Sequence, residues 1–232
     1  MRLIVEFRQV SKKYNESDGL NPTDFSVREG QVIGLFGLNG SGKTTTLKLI
    51  SGLLQPDNGR VIVANGTPRK NSQQISYLGD KMSFFPWMTT KDIRSFMSVM
   101  FDGFNPSKFD ELSQSLEVPQ KAMGQMSKGQ MQRLRLVATM SRQAQLYLLD
   151  EPLSGIDLVS RSLIIETLID VWDKQSAVII STHEIKEIEN FFDRALYLKA
   201  GTLVEDVIAE EVRKDNKSLT DLFIEINRDG VN

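Results

Sequence analysis

Five short segments, in a fixed order, carry the residue types that phosphate chemistry needs. The first, Gly37-Leu38-Asn39-Gly40-Ser41-Gly42-Lys43-Thr44, fits the pattern G-x-x-x-x-G-K-[ST]. Glycines at this spacing let backbone N–H groups converge on phosphate oxygens without side-chain clash. The helix that opens behind such a loop adds partial positive charge. Lys43 is then placed to reach the β- and γ-phosphates and Thr44 to ligate Mg²⁺. The other segments are Met126-Ser127-Lys128-Gly129-Gln130, Leu148-Leu149-Asp150-Glu151-Pro152, Ser154-Gly155-Ile156-Asp157 and Ser181-Thr182-His183.

Each of these supplies a different function. Asp150 ends an apolar run, where an acid emerging from a sheet beside the phosphate loop suits a direct or water-mediated Mg²⁺ partner. Glu151 follows and is a candidate to orient or deprotonate an attacking water. The plain alternative is a solvated acidic turn before Pro152. His183 is the only histidine in the chain; a neutral imidazole both donates and accepts, which suits contact with a γ-phosphate and a water. Ser127 is a good N-cap, and Gly129 permits close approach to a ligand. That makes a second helix end able to bind phosphate. One nucleotide does not need two such ends from one domain, so this one is expected to read a nucleotide held by a second chain. A simple helix cap is the alternative.

These residues need a framework. Val32 to Phe36, Gln145 to Leu149 and Ala177 to Ile180 are apolar runs that read as buried parallel strands. A helix after the first carries Leu47, Ile50 and Leu54 and ends near Gly52. Residues 158–174 read as an amphipathic helix. Strands alternating with helices predict an α/β core with a parallel sheet. The start differs: Leu3 to Val10, Thr23 to Val27 and Arg60 to Ala64 read as antiparallel strands around turns at Asp18-Gly19 and Asp57-Asn58-Gly59. Ala195 to Leu198 and Thr202 to Val207 read as a hairpin around Ala200-Gly201. Residues 89–142 read as mainly helical and inserted between two core strands; 208–232 read as a short helical tail. The expected organisation is one domain over 1–232, with a core of 1–88 and 143–207.

Composition narrows the classes. The 232 residues are 40% hydrophobic and 25% charged, enough for a sizeable core. A net charge of −2 gives no strong basic field, so no nucleic-acid partner is expected. There is no Cys, which excludes disulfides, thiolate zinc sites and a cysteine nucleophile. The first residues lack the apolar core of a signal peptide, and no apolar run approaches the roughly 18–20 residues of a membrane helix. If the protein works at a membrane, another chain must cross it.

Taken together, the segments resemble the nucleotide-binding domain of ATP-binding cassette (ABC) transporters, and the match runs from about residue 3 to 207. Residues 37–45 resemble Walker A, 146–151 Walker B with its catalytic glutamate, 154–157 the D-loop and His183 the switch histidine. Residues 126–130 resemble the LSGGQ signature, which is far more specific than Walker A. The resemblance implies a P-loop NTPase fold with an antiparallel β subdomain and an inserted helical subdomain. It also implies ATP and Mg²⁺ as cofactors and ATP hydrolysis coupled to transport. Catalytic residues are then Glu151, His183 and Lys43. Nucleotide contacts are Tyr14, stacked on adenine (a surface tyrosine at a strand end is the alternative), with Gly37, Asn39, Gly40, Ser41, Gly42, Lys43, Thr44 and Thr45. Ser127, Gly129 and Gln130 of a second chain complete the site. A homodimer, or a heterodimer with a second ABC ATPase, is expected to sandwich two ATP molecules head to tail at the cytoplasmic face of the membrane, against separate permease subunits.

Some residues depart from the family pattern. Met126 and Lys128 stand where Leu and Gly are commonest. Asp80 occupies the place of the Q-loop glutamine; it can hold Mg²⁺ or a water, but an ionised carboxylate cannot donate a hydrogen bond. The apolar, aromatic run 82–88 falls where the family receives a coupling helix of its membrane subunit, and aromatic and Met anchors suit such an interface. Packing inside the helical subdomain is the alternative. Its resemblance to export-type and antibiotic-response members inclines the reading to export. The competing function is a soluble ABC ATPase serving a non-transport machine such as iron–sulfur cluster assembly; a module that binds ATP without useful turnover has only Asp80 and Lys128 in its favour.

Overall fold

The computed structural model describes residues 2–15, 19–79, 84–172 and 175–228. The chain is organised around a six-stranded sheet in the order β5-β6-β7-β3-β8-β9. Its strands are β3 (Val32–Phe36), β5 (Ile75–Leu78), β6 (Leu146–Asp150), β7 (Ala177–Thr182), β8 (Arg194–Lys199) and β9 (Thr202–Ile208). All neighbours are parallel except the β8–β9 hairpin, which turns at Ala200-Gly201 as expected. Both faces are covered, which is why the central strands read as unbroken apolar runs. Leu146 and Leu148 face one core, and Tyr147 and Leu149 the other. Phe36 packs edge-on against Phe192 and Tyr197, with ring centroids at 5.2 and 5.3 Å.

One face of that sheet meets a three-stranded antiparallel sheet, ordered β2-β1-β4, of β1 (Leu3–Lys13), β2 (Gly19–Arg28) and β4 (Asn58–Val63). Val5, Phe7 and Val10 of β1 share that core with Leu47, Leu49 and Ile50 of α1 (Lys43–Ser51). Two local expectations need correction here. Asp57-Asn58-Gly59 is not a hairpin turn. Asn58 and Gly59 open β4, which pairs with β1 across an irregular register between Arg8 and Ser11. Leu54 lies beyond the helix, which stops at Gly52, and packs on the core from the following loop. Asp18 lies outside the described residues.

The other face carries α2 (Thr90–Met100), α3 (Pro106–Ser115), α4 (Lys128–Met140) and α5 (Leu158–Val171). The first three lie in sequence between β5 and β6, adjacent strands of the sheet. α5 is not the one-sided helix expected for 158–174. Ile164 and Leu168 are buried and Leu163 and Ile165 partly so, while Ile169 is exposed. With apolar residues on consecutive positions, no single polar face forms. The chain ends in α6 (Ala209–Lys214) and α7 (Leu219–Arg228). α7 is tied back by Tyr197 Oη donating to Leu219 O (2.9 Å) and Lys199 Nζ donating to Ile226 O (2.6 Å).

Candidate functional site

The C-terminal ends of parallel strands are where open α/β sheets bind ligands, and here β3, β6 and β7 end side by side. Beyond Phe36 the chain enters the Gly37–Thr44 loop and then α1, whose N-terminus has no side-chain cap. Its first N–H groups are therefore left for a ligand. The loop is backed tightly: a Cβ on Gly37 would stand 2.2 Å from Ser41 Oγ and 2.4 Å from Leu198 O. Gly201 N–H, in the β8–β9 turn, donates to Ser41 O at 3.1 Å and braces the loop from behind.

Lys43 is buried and folds back over this loop, its Nζ donating to Gly37 O (2.8 Å) and Leu38 O (3.3 Å). Burial lowers its pKa from the ordinary lysine range, opposed by the nearby Glu151 and Asp150 carboxylates. Its Nζ stands 3.8 Å from Glu151 Oε1.

Asp150 closes β6 opposite Ser181 of β7 and is only 2% exposed. Ser181 Oγ donates to Asp150 Oδ1, while Oδ2 is buried without a hydrogen-bond partner. A buried carboxylate oxygen left unpaired is costly, and it fits a cation that the nucleotide would bring. The next residue, Glu151, has a left-handed backbone, φ 49°, which is unusual for a side chain of this kind. Its N–H is held by Ser181 O (3.0 Å) and Ser181 Oγ (3.1 Å). Glu151 Oε2 lies 3.0 Å from His183 Nδ1. An ionised carboxylate only accepts, so a neutral imidazole bonded this way carries its proton on Nδ1 and leaves Nε2 as an acceptor.

The cleft in front of the loop has a volume of about 310 Å³ and is lined by Tyr14, Asn39, Gly40, Ser41, Gly42, Lys43, Thr44, Thr45 and Glu151. A larger cleft, about 630 Å³, lies at the opposite strand ends around Gln73, Gln145 and Gln175. Size therefore does not select the site; the constellation of groups does. Ser127, Gly129 and Gln130 are not among the residues lining the phosphate-loop cleft. Ser127 Oγ accepts from Gln130 N–H and Gln130 Oε1 accepts from Ser127 N–H, a reciprocal capping box on α4. Met126, the substituted first position of that segment, is buried in the core, whereas Lys128 is exposed. Asp80 lies outside the described residues. Sequence reasoning gave no role to Ser181; only the β6–β7 register, which sets it opposite Asp150, reveals what it holds.

A phosphate loop, a strand-end acid pair and a histidine on adjoining strand ends define a nucleoside-triphosphate-hydrolysing cassette. The model of the ABC transporter family matches residues 20–154, more than half of the chain. Among curated proteins the chain is 29% identical over 215 residues to the SkfA peptide export ATP-binding protein SkfE of Bacillus subtilis, covering 88% of this chain and 89% of that one. Among solved structures it is similar to an ATP-binding subunit of an ABC transporter (TM-score 0.81, 22% identity, 96% and 98% of the two chains). It is also similar to a dimeric ATP-binding cassette in a post-hydrolysis state with ADP and phosphate (TM-score 0.78, 22% identity, 88% and 98%). The chain belongs to the ABC transporter family, and it is an ATP-binding, ATP-hydrolysing subunit with the P-loop NTPase fold. No helix among the described residues is long and apolar enough to cross a membrane.

Proposed function

We propose that the cleft holds ATP with Mg²⁺, and that hydrolysis there drives a separate membrane-spanning partner. The observation that carries this reading is the junction of Lys43, Asp150, Glu151 and His183 at three strand ends. Tyr14 stacks on the base, the loop N–H groups and Lys43 take the phosphates, and Thr44 with Asp150 Oδ2 holds Mg²⁺. Few protein ligands suffice, because Mg²⁺ usually keeps waters and phosphate oxygens. Mg²⁺ held by these residues would neutralise charge developing on the phosphates. Glu151 orients and deprotonates the attacking water; His183, its Nδ1–H fixed on that carboxylate, presents Nε2 to the γ-phosphate side. Ser127 and Gly129 of a second copy or a paralogue close the site from across a head-to-tail dimer.

The partner surface we assign is the aromatic run 82–88, of which Met82 and Ser83 lie outside the described residues. Phe85 and Trp87 stack at 5.9 Å and stand 64% and 67% exposed, while Met88 is buried and Phe84 packs edge-on against Phe96. Met88 and Phe84 hold the segment by internal packing, and the exposed Phe85 and Trp87 rings are what support the partner reading. Export at the cytoplasmic face of the membrane is the direction we favour, in keeping with the export role in the SkfE name. The division into a core, a helical insertion over 89–142 and a tail follows the element order.

The test uses a tagged Glu151→Gln variant with ATP and Mg²⁺, purified from membranes. The variant is expected to bind ATP and to hydrolyse it at least a hundredfold more slowly, in the range for losing a general base. It is also expected to bring down a polytopic membrane protein. Near-normal turnover removes Glu151 from its role; soluble partners alone, with the bait absent from membranes, overturn the transport reading.

A further inference from the structure

We propose that Gln132 and Arg135 of α4 form a positioning pair that sets the turn carrying Glu151 and ties it to the end of β5. The proposal rests on Glu151 being the proton acceptor.

The geometry is a chain of oriented donors. Gln132 Nε2 donates to Pro152 O at 3.2 Å and, more weakly, to Glu151 O at 3.4 Å. An amide can present either its oxygen or its nitrogen to such a site, and the wrong choice sets acceptor against acceptor. Arg135 removes the choice: its Nη1 donates to Gln132 Oε1 at 3.0 Å, and a guanidinium has no acceptor to offer in return. Arg135 Nη2 donates in turn to Gly79 O, one residue past β5. Three carbonyls from the ends of neighbouring strands β5 and β6 thus converge on one helix face.

Position 135 lies between the buried Leu134 and Leu136, and the guanidinium is half-buried. The rigid fork of Arg suits two acceptors at once, which the single ammonium of Lys matches poorly. What the pair holds is strained. Glu151 sits at φ 49°, a conformation that persists only where the surroundings over-determine it. Ser181 fixes the N–H side of Glu151, and Gln132 fixes the carbonyl side of the same turn. Without the pair, the carbonyl side keeps the turn's own Ser154 N–H, at 3.2 Å from Glu151 O, but Pro152 O loses the Gln132 donor, and the carboxylate loses its set direction toward the attacking water. Misplacement by an ångström costs catalysis heavily while leaving binding intact.

The experiment measures single-turnover hydrolysis of labelled ATP by the full chain, with ATP affinity taken separately from a fluorescent analogue. Arg135→Met and Gln132→Leu are each expected to lower the hydrolysis rate about tenfold while changing ATP affinity less than twofold. Combined, they are expected to fall no further than either alone, because they act in series. In a Glu151→Gln background neither is expected to lower the residual rate, since both act through that side chain. Arg135→Lys is expected to give a smaller loss; should Arg135→Met not fold, judged by its melt, Arg135→Lys carries the same comparison. An unchanged rate in the Arg135 variants overturns the pairing, as do losses that add, losses that persist without Glu151, or a parallel loss of affinity. If Glu151→Gln itself turns over normally, the proton-acceptor reading fails instead, and the two failures are distinct.

Discussion

Gly129 offers the sharpest separation of fold from function. Among the described residues, a Cβ built there meets only Gly155 O, at 4.0 Å, and the residue has no left-handed backbone to relax. It lies in the first turn of α4. Replacing glycine by alanine inside a helix gains about 0.5–1 kcal/mol. For a chain of this length that corresponds to a melting temperature higher by about 1–4 °C. Yet if a second chain's nucleotide approaches this helix end, the added methyl stands where the γ-phosphate must come. Gly129→Ala is therefore expected to leave the nucleotide-free melt unchanged or raised. ATP-dependent dimerisation, measured by light scattering in a Glu151→Gln background, is expected to be lost. Hydrolysis in the otherwise native chain is expected to fall at least tenfold. Intact dimerisation and turnover refute the idea that Gly129 meets a ligand. A melt lowered by several degrees refutes the reasoning differently, by showing that the glycine serves the fold.

Two other outcomes follow from the buried charges. Ser181→Ala removes the described donor to Asp150 Oδ1; a hydrogen bond to a charged group contributes about 2 kcal/mol, so the nucleotide-free melt is expected to fall by about 4–8 °C, and an unchanged melt contradicts this. Lys43, whose pKa burial lowers below the ordinary 10.5, makes unfolding pH-dependent. Between its folded pKa and 10.5 the unfolded chain binds more protons than the folded one, so stability rises with pH there; the penalty for the buried cation is complete below the folded pKa. Lys43→Met is expected to abolish that rise in urea melts run upward from about pH 8, and equal slopes in the two proteins contradict it.

The framework was largely readable because burial on both faces leaves short, unbroken apolar runs in the central strands. Val32 to Phe36 and Ala177 to Ile180 are apolar without a break, and both are central strands. The hairpin at Ala200-Gly201 was readable from its turn residues. Strand order was not, since nothing in Val32–Phe36 says that it lies between β7 and β8. Residues 158–174 misled for a related reason: periodicity reports burial along one element, and α5 is apolar on consecutive positions. Asp57-Asn58-Gly59 has turn chemistry, but the pairing of β4 with β1 uses it to open a strand. In the site, Lys43, Asp150, Glu151 and His183 announce themselves by type and spacing. Ser181, Gln132 and Arg135 do not, because their partners lie on elements far away in sequence. Gln132 reads as one more polar helix residue until Glu151 O and Pro152 O are set before it.

The left-handed backbone of Glu151 bears on how such a chain can change over evolutionary time. A glutamate at φ 49° carries about 1 kcal/mol or more of backbone strain, and glycine adopts the same shape almost freely. Selection for stability alone therefore pushes this position away from glutamate, and only selection for turnover holds it. A lineage that came to need nucleotide binding without hydrolysis would be released from that strain by letting the residue go. Activity would disappear there at a residue whose replacement by glycine relaxes the backbone.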